Sequence, residues 1–212
     1  MSTYHNKGFT LVEISIILVI IGLIIGGILT GKDLIQSAAL RSLIADINNA
    51  ETVVNTFEET YAFLPGDLPT ASTYWPTETN GNGNGIIDYT PERWQAWKHA
   101  YAAEMLRNLD VDNPPRYYLT TYKTGVVSVF QWNWNQRSGL MYQFGGAPEG
   151  DAILTPVQAQ YIDQKMDDGK YASGKLSGLN GAGATSNCNA GGAYILTNPE
   201  AVCRIFYFPS IY

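Results

Sequence analysis

The chain has 212 residues, a formal charge of −6 and only 13 Lys and Arg, with no dense basic patch. That balance argues against nucleic-acid binding, which draws its affinity from cations set against phosphates. Aromatics make up 12 % of the chain and fourteen of them are Tyr, which suits a folded β-rich domain and excludes a disordered tail.

The first element is an apolar helix. From Phe9 to Leu29 the only ionisable side chain is Glu13. At ~1.5 Å per residue the run spans about 30 Å, enough to cross a bilayer core. It exceeds the roughly 7–15-residue apolar core of a secretory signal. A carboxylate in lipid costs ~2.5–3.5 kcal/mol at mid-bilayer and less near an end, so Glu13 calls for a partner. A cut between Gly8 and Phe9 would expose an α-amino group on Phe9 and make Glu13 the fifth residue. A neighbouring chain's amine could then pair with the carboxylate and fix the axial register between chains.

Lys7-Gly8-Phe9-Thr10-Leu11-Val12-Glu13 resembles the prepilin signal of type IV pilins and type II secretion pseudopilins. That signal is a short basic leader ending in Gly, then Phe, then Glu at the fifth mature position, then an apolar helix. The resemblance implies that a prepilin peptidase cleaves between Gly8 and Phe9 and N-methylates Phe9. It implies that Glu13 serves assembly into a helical filament of identical or related subunits, driven by inner-membrane machinery. It also implies a single-pass protein of the bacterial inner membrane with its head in the periplasm, later part of a pilus or pseudopilus. The motif and its helix cover about the first quarter of the chain. The competing reading is a membrane-anchored periplasmic binding module that is never cleaved and never polymerises.

Past Gly26, Gly27 and Gly31, which mark potential flexible points, the helical pattern continues. Leu40, Leu43, Ile47, Ala50, Val54, Phe57 and Tyr61 recur three and four apart, the stripe of an amphipathic helix laid on a core. Leu64-Pro65-Gly66-Asp67-Leu68-Pro69 ends it, with Pro-Gly favouring a type II turn.

The loop that follows contains Asn80-Gly81-Asn82-Gly83-Asn84-Gly85-Ile86-Ile87-Asp88, which resembles the front of an EF-hand. Asn80, Asn82, Asn84, the Ile86 carbonyl and Asp88 fall at the ligand positions, and Glu92 comes one residue late. With amides in place of early carboxylates, the site would take Ca²⁺ weakly. The alternative is a run of Asn-Gly turns.

Thr90-Pro91-Glu92 predicts a helix start, with Trp94, Trp97, Tyr101 and Met105 as a core stripe reaching about Asn108. Residues 116–123, 125–134 and 139–146 predict an antiparallel meander. Thr155-Pro156 opens a helix to Met166. Asp163, Asp167 and Asp168 at its end read as a solvated terminus, with a cation site as the alternative. A glycine-rich loop leads to closing strands at 193–196 and 204–208. Cys188 and Cys203 are the two cysteines; in an oxidising compartment they are expected to pair.

The fold class expected is α+β: a long N-terminal helix, half transmembrane and half amphipathic, packed on an antiparallel sheet head, as in pilins. The expected organisation is a leader over 1–8, a membrane and filament-core helix over 9–30, its amphipathic continuation over 31–64 and a globular head over 65–212. The sequence has no nucleophile elbow, P-loop, HExxH or CxxC. His99 is the only histidine after the leader and reads as structural, so no enzyme is expected.

Overall fold

The computed structural model describes residues 10–107, 109–110, 116–118, 125–134, 137–146, 150–184 and 186–209. Its contacts divide the chain into two compact units, Met1–Ala39 and Leu40–Tyr212. The helix α1 (Leu11–Tyr61) contributes to both.

Within the first unit α1 is predominantly apolar on every side from Leu11 to Leu29, with Glu13 as its one charged residue; Lys32 and Asp33 follow. Its large side chains from Leu11 to Ile35 are exposed, and a stretch of mean hydropathy 2.8 is long enough to cross a membrane. The glycines expected as flexible points leave the helix unbroken. Helical neighbours on both sides sustain the hydrogen-bond ladder, which outweighs about 1 kcal/mol lost per glycine.

Within the second unit α1 buries Leu40, Leu43, Ile47, Ala50, Val53, Val54 and Phe57, the predicted stripe with Val53 added. Tyr61 is only half buried and packs on Phe57 with ring centroids 4.6 Å apart. The helix ends at Tyr61. Ala62 turns left-handed (φ 60) and donates to the Glu58 carbonyl at 2.8 Å. The predicted turn follows: Asp67 N–H donates to Leu64 O at 3.1 Å across Gly66, whose φ is +89 as a type II turn requires.

After the short helix α2 (Ala71–Tyr74), α3 spans Glu92–Ala102. It starts one residue later than expected and ends well before Asn108. Glu104 is left-handed (φ 60), Glu104 N–H reaches Tyr101 O at 2.9 Å and Met105 N–H reaches Ala100 O at 3.0 Å. This Schellman stop carries Glu where Gly is usual, which hid it from the sequence pattern.

The sheet is antiparallel, ordered β1-β2-β3-β4-β8-β5. Its strands are β1 (Leu109–Asp110), β2 (Arg116–Tyr118), β3 (Gly125–Trp134), β4 (Arg137–Gly146), β5 (Leu176–Asn180) and β8 (Cys203–Tyr207). β2, β3 and β4 form the expected meander; positions 119–123 of the first predicted strand lie outside the described residues. Two expectations are corrected. β5 sits where a glycine-rich loop was expected, because β8 pairs with it from Leu176↔Tyr207 to Asn180↔Cys203. The segment at 193–196 does not close the sheet; among the described residues β7 (Ala193–Tyr194) pairs with β6 (Asn189–Ala190) in a separate ribbon.

Alternation sorts the sheet into two faces. Val127, Val129, Tyr142, Phe144, Ile205 and Tyr207 share one face by register. Here Tyr207 Oη donates to Glu51 of α1 at 2.9 Å and Trp97 Nε1 of α3 donates to Val127 O at 2.8 Å. Helix α4 (Pro156–Met166), opened by a capping box of Thr155 with Gln158, covers β5 on that face through Ala159 against Gly178. Phe130, Met141, Gln143, Leu179, Arg204 and Phe206 lie on the other face.

Candidate functional site

At the start of α1 the first described residue, Thr10, caps the helix. Its N–H and its hydroxyl each donate to Glu13 Oε2 at 2.8 Å, and Glu13 N–H donates to Thr10 Oγ1 at 3.2 Å. This reciprocal pattern is a capping box. The Thr-x-x-Glu spelling was visible in the sequence and went unread beside the question of charge. In the single chain, then, Glu13 has a partner, but a neutral one. The other carboxylate oxygen, Oε1, has no hydrogen bond among the described residues. The expected cleavage residues Gly8 and Phe9 lie outside the described residues.

Further along α1, Gly22, Gly26, Gly27 and Gly31 have open space where a Cβ would stand. Gly22 with Gly26 and Gly27 with Gly31 are spaced four apart, which lets another helix approach closely.

The Asn-Gly loop is bound to the head by carboxylates. Asp67, fully buried, accepts N–H groups from Asn84 at 3.0 Å and Gly85 at 2.8 Å. Glu92, also buried, accepts from Asn82 N–H at 2.9 Å and Asp88 N–H at 3.0 Å. Asn80 Oδ1 accepts from Ser72 N–H, Asn82 Oδ1 from Asn84 N–H and Asn84 Oδ1 from Ile86 N–H. Asp88 Oδ2 accepts from the Asn82 and Asn84 amides. The side-chain oxygens expected as Ca²⁺ ligands therefore accept hydrogen bonds from the protein. Asp67 is legible in sequence only as part of its own turn, while its partners in the loop lie 17 and 18 residues on.

The acidic group at the end of α4 brings Asp163, Asp167 and Asp168 within reach of one ion. A wholly solvated terminus is corrected for Asp163, which is fully buried. Its Oδ2 accepts the Tyr194 hydroxyl at 2.6 Å and its Oδ1 accepts Gly169 N–H at 3.0 Å. Burial raises its carboxyl to about 6 against those two bonds. Asp167 Oδ2 accepts the N–H groups of Lys175 and of Leu176, the latter at 3.1 Å.

His99 is structural in its contacts. Gly66 N–H donates to Nδ1 at 3.0 Å, and Nε2 faces Thr79 O at 2.8 Å, so the proton belongs on Nε2. Burial lowers its basicity. Cys188 and Cys203 are joined in a disulfide, Cα atoms 5.1 Å apart, tying β8 to the segment before β6.

Residues 4–29 match the prokaryotic N-terminal methylation motif, the signal of type IV pilins and pseudopilins. No curated protein and no solved structure matches the chain. The motif points to a processed structural protein, and the exposed apolar helix fits membrane anchoring.

Proposed function

We propose that this chain is a pilin or pseudopilin, a subunit of a type IV pilus or a type II secretion-like filament. It enters the bacterial inner membrane through residues 9–30 with the head, residues 65–212, in the periplasm. Prepilin peptidase removes the leader, 1–8, between Gly8 and Phe9 and methylates the Phe9 amine. The assembly machinery then draws the subunit into the filament, where helices replace lipid around α1. The segment 31–64 continues the helix on to the head.

One observation carries this reading. Inside a methylation motif, α1 exposes a predominantly apolar surface from Leu11 to Leu29 whose single charged side chain, Glu13, lies near its start. Such a surface needs lipid or other helices over it. Repetition of one heterologous contact without closure gives a filament. The Phe9 amine of a neighbour would neutralise Glu13, whose present partner in Thr10 leaves its charge intact. Filament yield from a Glu13→Ala chain that is expressed and cleaved normally tests this: a loss supports the role, and normal filaments count against it.

A further inference from the structure

On the sheet face away from α1, a half-open cavity of about 270 Å³ is lined by Tyr89, Phe130, Met141, Gln143, Leu179, Arg204 and Phe206. Three of its walls are aromatic rings. Two of its polar side chains, Arg204 and Gln143, have no hydrogen-bond partner among the described residues. Arg204 Nε is buried without a hydrogen-bond partner. Arg204 makes no hydrogen bond or ion pair among the described residues; its contact is with the Phe206 ring, 4.9 Å away. Gln143 is 8 % exposed, and its amide likewise has no hydrogen bond among the described residues.

The two groups converge at Gly150. A Cβ there would lie 2.4 Å from Arg204 Nη1 and 3.5 Å from Gln143 Nε2, so a side chain would push the guanidinium tip aside, and the φ of +103 itself favours glycine. A half-buried cation with no counter-charge among the described residues is costly, and an arginine keeps its proton. An anion would relieve that cost, and a guanidinium fork matches a carboxylate with two parallel bonds. The Gln143 amide would donate to the same group, and the rings would hold a flat apolar body. The volume limits that body to about one ring.

We propose that this cavity binds a small organic carboxylate carried on a flat apolar body, its carboxylate on Arg204 and Gln143 and its body against Phe130, Phe206 and Tyr89.

The test is calorimetric titration of the full chain in detergent micelles with benzoate and, separately, with neutral benzamide. Benzoate should bind at about millimolar Kd, and benzamide at least about tenfold more weakly. Arg204→Gln should weaken benzoate about tenfold and bring it level with benzamide. Equal binding of the two probes by the native chain overturns the proposal without recourse to any variant. So does benzoate binding that survives Arg204→Gln. Should benzoate fail to bind while Arg204→Gln abolishes self-association, the occupant is an acidic side chain of a second copy, and the small-molecule assignment falls.

Discussion

The Thr10 hydroxyl donates to the Glu13 carboxylate at 2.8 Å at the first turn of α1. The contact makes Glu13 a helix cap in the single chain, separable from the charge that the proposed filament role would use. Substitution can divide them. Gln is accepted at the same position of a capping box, so Glu13→Gln keeps the cap and loses the charge. Filament yield should fall about as far in Glu13→Gln as in Glu13→Ala, by an order of magnitude or more, if several kcal/mol of buried charge pairing are lost. Near-normal filaments from Glu13→Gln would reduce the residue to a cap worth about 1 kcal/mol.

The glycines of α1 offer a second handle. Replacing Gly22 and Gly26 by Leu should raise helicity, by about 1 kcal/mol per site, yet lower filament yield, because the added bulk separates helices that pack closely. Circular dichroism and filament counts on the same variant report both. Unchanged yield would mean that this face does not meet another helix.

Two buried groups act on stability with opposite sign. Asp163 is raised from 3.8 to about 6, so the folded head holds that proton more tightly. Its contribution is full below about pH 4 and lost as pH rises through about 6. His99 is lowered by burial, so its contribution is present above about pH 6.5 and lost as pH falls. Asp163→Asn removes the opposing contribution. Its melting temperature should fall more steeply than that of the native chain between about pH 7 and pH 5. Parallel curves would contradict the burial of Asp163.

Among the described residues the Asn-Gly loop is held by hydrogen bonds to Asp67 and Glu92. Asp67→Asn should destabilise the head by about 1–3 kcal/mol, since its NH2 would replace one of the two accepting oxygens and face a loop N–H donor. Millimolar Ca²⁺ should leave melting of the native chain unchanged, because the candidate side-chain oxygens are already engaged. A saturating rise with Ca²⁺ would show that Asn80, Asn82, Asn84 and Asp88 turn to a cation instead.

Reduction of Cys188–Cys203, or Cys188→Ser with Cys203→Ser, should cost about 2–5 kcal/mol in chemical denaturation of the head. A negligible change would mean that the pairing of β5 with β8 suffices to hold the segment.

Legibility in the sequence followed the range of the interactions. The stripe from Leu40 to Phe57, the Pro65-Gly66 turn and strands β3 and β4 were legible because each is written in local spacing. β5 was not, because Leu176-Ser177-Gly178-Leu179-Asn180 becomes a strand only through β8, and Gly178 is small because Tyr194 lies over it. Asp163 looked solvated because its partner, Tyr194, lies 31 residues away. The meeting of Gln143 and Gly150 with Arg204 joins two distant segments, and no local pattern encodes it.

The most direct measurement is the intact mass of the chain after co-expression with a prepilin peptidase in a bacterial membrane. The account predicts a product that has lost residues 1–8, begins at Phe9 and carries one added methyl group on its amine. A chain that persists with Met1 through Gly8 attached, in the presence of active peptidase, would contradict it.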